Sequence, residues 1–253
     1  MRVTGFAILG LILAVSACAP VPVMMPAPTT ATANTPVAPA IQSAPQSAPQ
    51  SAPQSARQAV DTFVAVVRRM EPSIERECRN RAPQLDCDYE ILVDTREGQG
   101  VNAYQTLNEA GRPIIAFTVG LIAEARNADE IAFVMGHEAA HHIAGHLTRT
   151  QSNATLGGVL GGVLIAGLGG DASAIEAAQN IGATVGARRY SKGFELEADR
   201  LGTIIASRAG YDPVRGAQFF TRLPDPGDRF LGSHPPNAQR IDTVRQTLAG
   251  LGG

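Results

Sequence analysis

From residue 137 to 141 the chain reads His-Glu-Ala-Ala-His. Two histidines four positions apart project from the same face of a helix. His137 and His141 can therefore hold one zinc ion through their ring nitrogens, at about 2.0–2.1 Å each. Glu138 lies between them in sequence and beside the metal in space, where it can take a proton from a water that the ion has acidified. Such a water attacks a peptide carbonyl that the metal polarises. A catalytic zinc also needs a third protein ligand and one open position, and the segment FELEADRLG at 194–202 offers carboxylates. Glu195 and Asp199 are again four apart, so Glu195 could complete the shell while Asp199 accepts the free ring N–H of a ligand histidine, first of all His137. Glu197 is the rival ligand. The apolar stripe of Phe194, Ala198, Leu201 and Ile205 leaves both glutamates at its edges, and periodicity does not choose between them.

The other titratable residues near these motifs have looser roles. His142 and His146 fall off the ligand face and are expected to pack or to hydrogen-bond. His234, in SHPP, is placed to reach the site from the C-terminal part of the chain. There it would bond to the tetrahedral intermediate or occupy the open zinc position in a resting state. Arg240 is a candidate either to stabilise the oxyanion or to form a salt bridge beside the site, and Tyr190 is a weaker oxyanion candidate.

Helices must position these residues. Asn127, followed three residues later by Glu130, resembles a capping box and predicts a helix from Ala128 to about Leu147, with Ile131, Val134, Met135 and Ile143 facing the core. A second helix is expected over 191–210, stopped by Gly210. An earlier helix begins near Arg57, with Val60, Phe63, Val64 and Val67 at helical spacing and Pro72 interrupting or kinking it. Apolar runs at 89–94, 101–107 and 112–120 predict three strands of a small antiparallel sheet, and NAQRIDTVRQTL reads as a closing amphipathic helix. The uncharged stretch 154–170 carries seven glycines from 157 onward and is too short and glycine-laden for a membrane span, so it is expected to be a flexible or closely packed segment beside the site.

Composition narrows the setting. Twenty-one basic residues against 23 acidic give a net charge of −2, with no basic run and only 5% aromatic residues, which excludes nucleic acid as a partner. Residues 1–18 combine Arg2, an apolar stretch from Phe6 to Val15 and small residues, the layout of a secretory signal. Its end, VSAC, resembles the bacterial lipoprotein signal, which implies that Cys18 carries the lipid; Ala19 in place of aspartate favours the outer membrane. Residues 19–56, rich in Pro, Ala, Ser and Gln, cannot build a core and should form a disordered tether. Roughly 35 residues at about 3 Å each reach on the order of 100 Å when extended. The folded domain is expected over 57–253. In an oxidising compartment Cys78 and Cys87 are expected to form a disulfide, stabilising by less than about 3 kcal/mol.

Taken in order, NAY at 102–104, GHEAAHHIAGH at 136–146, YSKGFELEADRLG at 190–202 and SHPPNAQRI at 233–241 resemble the family forty-eight zinc metallopeptidases, which include the CAAX-prenyl endopeptidase and many bacterial envelope proteases. The resemblance runs from about residue 60 to about residue 250. It implies that Glu195, the first glutamate of E-x-x-x-D, binds zinc and that Asp199 orients a ligand. The implied fold is a gluzincin-type α+β domain, mostly helical, whose small sheet aligns substrate along an edge strand, here RPIIAFT. Arg112 and Pro113 depart from the glycine-rich approach usual in the family. The implied function is that of an endopeptidase with one Zn2+ per chain. It would be lipid-anchored on the periplasmic side of the outer membrane and would act on unfolded or misassembled envelope proteins. The alternative is a zinc-binding chaperone or assembly factor of the outer membrane with little proteolysis.

Overall fold

The computed structural model describes residues 55–189, 191–225 and 235–252. The leader with Cys18, the stretch to residue 54, Tyr190 and His234 lie outside them. The first helix, α1 (Ala56–Arg81), opens with a reciprocal cap: the Gln58 N–H donates to Ser55 Oγ and the Ser55 N–H donates to the Gln58 side chain. Pro72 does not interrupt it. Pro72 is exposed, so water can satisfy the carbonyl that its missing N–H leaves unpaired. The buried stripe is Ala59, Phe63, Val66, Met70 and Ile74, while Val60 and Val64 face solvent. A Cys78–Cys87 disulfide, with Cα atoms 5.7 Å apart, ties the end of α1 to the loop that enters the sheet.

The sheet holds β1 (Glu90–Asp94), β2 (Ala103–Leu107) and β3 (Pro113–Thr118) in the order β1-β3-β2. It is mixed, not antiparallel throughout: β2 and β3 form a hairpin, but β1 runs parallel to β3. Burial explains the order. Ile115, Ala116, Phe117 and Thr118 are all buried, which suits a strand covered on both sides, whereas β2 is half-exposed along its length. RPIIAFT is thus the central strand and not an edge, and the edges are β1 and β2.

After a short α2 (Val119–Glu124), the mostly buried α3 (Ala128–Ile143) runs through the core between α1, the sheet and α6 (Ser191–Arg208). Asn127 caps it by accepting from the Glu130 N–H at 3.1 Å. Glu130 does not complete the box; its carboxylate accepts from the Arg126 N–H and pairs with Arg222. The helix ends earlier than its sequence predicts, because Gly145 adopts φ +64° and turns the chain. His146 therefore starts α4 (His146–Gly167), which packs against α5 (Ala172–Arg189) as a hairpin. The glycine-rich stretch is the packed seam of this hairpin: Gly157 meets Gly182, and Gly161 meets Ala178, backbone to backbone. The outer side of α4 exposes Leu156, Val159, Leu160, Val163 and Leu164. None of the described helices is long and apolar enough to cross a membrane. A single-turn α7 (Pro213–Gly216), a 3₁₀ helix (Ala217–Arg222) and α8 (Asn237–Leu251) close the core.

The crossing of α3 and α6 is unusually close. A Cβ placed on Gly136 would lie 2.9 Å from the Gly202 carbonyl oxygen, and one on Gly202 would lie 2.8 Å from the His137 nitrogen. Ala at 202 would gain about 0.5–1 kcal/mol in helix propensity but force two backbones apart, an overpacking cost of about 1–3 kcal/mol. Gly202→Ala is therefore expected to lower the unfolding free energy, read by urea denaturation.

Candidate active site

Because α3 and α6 nearly touch, side chains within two turns of the crossing on each helix converge. His137 and His141 present Nε2 atoms 3.0 Å apart, and Glu195 places Oε2 3.5 Å from His137 Nε2 and Oε1 3.4 Å from His141 Nε2. Tetrahedral ligands at about 2.0–2.1 Å from one zinc are separated by about 3.3 Å. These separations, two of them to different Glu195 oxygens, lie near that value, and one donor atom from each residue lies within 4.8 Å of the others, so the residues fit a zinc ion. Among the described residues they form the one such group of His, Cys, Asp and Glu. The separate motifs HExxH and ExxxD thus meet at a point.

The family model of peptidase family M48 matches residues 68–248. The chain belongs to peptidase family M48. A Vibrio cholerae protein is 36% identical over 130 residues, covering 48% of this chain and 26% of its own length. The beta-barrel assembly-enhancing protease of Yersinia pestis is 33% identical over 137 residues, covering 47% of this chain and 27% of its own length. The mitochondrial metalloendopeptidase OMA1 of Saccharomyces cerevisiae is 31% identical over 134 residues, covering 48% and 37% respectively. The chain therefore spans only about a quarter to somewhat over a third of these curated relatives.

Around His137, His141 and Glu195 lies a buried ionic cluster. Asp199, fully buried, accepts from His137 Nδ1–H at 2.9 Å and receives Arg240 side-on, with Nε at 2.8 Å and Nη2 at 2.7 Å. Arg240 itself lies over the Phe220 ring at 3.7 Å. The salt bridge open to Arg240 is present, and its Nη2 also lies 3.6 Å from Glu195 Oε2, on the side of the cleft that Arg240 lines. Burial would raise the Asp199 carboxyl, but Arg240 and then His137 hold it below the usual range. Burial, and next the Arg240 charge, disfavour a proton on His137; its hydrogen bonds to Asp199 and Glu195 outweigh them and push it up to about 9. His141 moves the other way, to about 3, through burial first and the neighbouring His137 second.

His137, His141 and Glu195 line a cleft of about 500 Å³. Glu138, half-buried, faces it from α3, and Val101 to Gln105, including the NAY block, form one wall. Thr118 pins that wall: its Oγ accepts from the Asn102 N–H at 3.0 Å. Glu197, the rival ligand, is turned away from the group. It takes His146 Nε2 at 3.2 Å and Arg149 at 2.9 Å. His142 leaves the ligand face, as its helix position requires, and bonds to the Asp86 carbonyl at 2.9 Å beside the Tyr89 ring. Sequence reasoning missed the contact of His146 with His141 Nδ1, at 2.9 Å. The only sequence signal was an extra histidine five residues beyond the second ligand, just after a glycine.

Two outcomes follow from these charges. Arg240→Met leaves Asp199 buried and unpaired, at a cost of about 3–5 kcal/mol. Adding Asp199→Asn should restore part of that loss in thermal and urea unfolding. Metal uptake must also displace the His137 proton. A proton held up to about 9 competes with zinc at every lower pH, so affinity should climb by about tenfold per pH unit until it levels near that value. Chelator competition across this range measures it, and a flat profile would remove the proton from His137.

Proposed function

We propose that this chain is a zinc-dependent endopeptidase. In this reading His137, His141 and Glu195 hold one metal ion, and Glu138 is the general base. The observation that carries it is the convergence of donor atoms from His137, His141 and Glu195, within 4.8 Å of one another, on the floor of an open cleft, with Glu138 facing the same space. Bound zinc would supply the Lewis acidity that polarises a peptide carbonyl and acidifies water. Glu138 takes the proton from the attacking water and delivers it to the leaving amine, so one carboxylate serves as base and then as acid. Asp199 holds His137 in the tautomer that leaves Nε2 free for the metal, and Arg240 keeps Asp199 ionised. His234 keeps the role its sequence position suggests, bonding to the tetrahedral intermediate.

The substrate enters as an extended strand. β2 pairs with β3 on one side and lies at the sheet edge on the other, with Ala103 to Gln105 along the cleft. An edge strand offers backbone N–H and C=O groups to another chain, and main-chain pairing reads extension more than sequence. That suits unfolded polypeptide. The leader 1–18 and the tether 19–56 support a lipoprotein anchored through Cys18 to the outer membrane, with the catalytic domain over 57–253 in the periplasm. The disulfide fits an oxidising compartment, and the names of the bacterial relatives support envelope proteins, unfolded or misassembled, as substrates.

Glu138→Gln in the full chain tests this. Zinc content should stay at one per chain while cleavage of casein falls by about 10²- to 10⁴-fold. Wild-type turnover in the variant would remove Glu138 from its role. Zinc binding without cleavage in the wild type would favour the chaperone or assembly-factor reading.

A further inference from the structure

His137 has Asp199 to orient it, whereas among the described residues no carboxylate meets the second ring nitrogen of His141; that nitrogen meets His146 instead. We propose that His146 and Glu197 form a second orienting arm, a strut from α4 and α6 that fixes the ring of His141 for the metal. The inference rests on the metal-site reading above and extends it to residues outside HExxH and ExxxD.

Proton bookkeeping determines the strut. If His141 gives Nε2 to a metal, its proton must sit on Nδ1. His141 Nδ1 and His146 Nδ1 are 2.9 Å apart, and two ring nitrogens can bond only when one bears hydrogen and the other does not. His146 must therefore accept at Nδ1 and carry its own proton on Nε2. That nitrogen lies 3.2 Å from Glu197 Oε2, an acceptor, and the same oxygen takes Arg149 Nη1 at 2.9 Å. Every position along the path Arg149, Glu197, His146, His141 has a donor facing an acceptor, in the tautomer that frees His141 Nε2.

Packing holds the strut in place. The His146 ring is 3% exposed and stacks on Phe194, with centroids 4.6 Å apart and planes at 13°. Arg149 lies over the same Phe194 ring at 4.3 Å. His146 begins α4 because Gly145 turns the chain there, so the glycine that ends α3 also aims this ring back at the second ligand. The Glu197–Arg149 pair is nearly half exposed on both sides, so it adds little stability as an ion pair. Its effect should appear in metal binding and not in folding. A neutral imidazole polarises the His141 N–H less than a carboxylate would, which predicts a smaller effect than that of losing Asp199.

The test measures zinc dissociation constants by chelator competition on the full chain, with melting of the metal-free proteins alongside. His146→Phe keeps a ring for the Phe194 stack but removes both nitrogens, and should weaken zinc by about tenfold, the low end for such outer partners. His146→Asn restores an oxygen that can accept from His141 Nδ1–H, and should recover most of that loss. Glu197→Gln should weaken zinc less than His146→Phe and much less than Glu195→Gln. Nitrogen-15 spectra of the zinc-loaded protein should place the His146 proton on Nε2. Wild-type affinity in His146→Phe would overturn the strut. So would a loss that tracks a lower melting point without recovery in His146→Asn, or a His146 proton on Nδ1. A wild-type chain that takes up no zinc would instead remove the metal site itself, a result separable from all of these.

Discussion

Donor atoms of His137, His141 and Glu195, from two helices, lie within 4.8 Å of one another because the helix backbones nearly touch. The crossing falls at Gly136 and Gly202, where neither helix has room for a methyl group. Ordinary helix pairs lie 8–10 Å apart, with side chains filling the space between them. Remove the side chains at one level and the next turn on each helix can meet its opposite number. His137 follows Gly136 directly, and Asp199 lies one turn before Gly202. The contact between His137 and Asp199 is thus a direct consequence of the crossing, and Glu195, one turn further along α6, arrives at the free nitrogens of both histidines. The remaining core, α1 and the sheet on one side and α8 on the other, encloses this crossing and has little else to position.

Enclosure brings an electrostatic difficulty. Asp199 has no solvent exposure, and Glu195 and His137 have little. An uncompensated carboxylate in such a place would cost several kcal/mol, or would take up a proton and lose its use as an acceptor. Arg240, entering from α8, offsets this with two parallel hydrogen bonds and is itself covered by Phe220. A closing helix far along the chain therefore supplies the charge that holds Asp199 ionised beside His137.

How much of this could be read from the sequence depends on whether the information was local. Spacing of four within one helix is local, so His137, His141, Glu195 and Asp199 were legible as same-face pairs, and so was the start of α3 at Asn127. Partnerships between helices were not. Glu195 and Glu197 lie at opposite edges of one stripe, and only the crossing angle decides which turns inward and which meets His146. Strand order is equally nonlocal: RPIIAFT reads as a plausible edge until the burial of Ile115 and Phe117 places it at the centre. In α1 the valines at 60 and 64 share the period of the core face but lie on its shoulder, a phase that hydrophobicity alone does not determine. The glycines divide. For those in α4 the sequence left a flexible and a closely packed segment open, and the packed one is what the hairpin seam shows, whereas Gly145, inside a run that looked helical, ends the helix.

Gly145 has the larger consequence. Had α3 continued, His146 would stand nine residues beyond His137 on the same rod, rotated away from the ligand face and free to point at solvent or core. By ending α3 and restarting the chain at a new angle, a single left-handed residue turns that histidine back on its neighbour and carries the base of the α4–α5 hairpin to the rim of the cleft, where Leu147 and Thr150 join the lining. The hairpin's glycine seam lets its two helices pack backbone to backbone, while the outer side of α4 stays apolar.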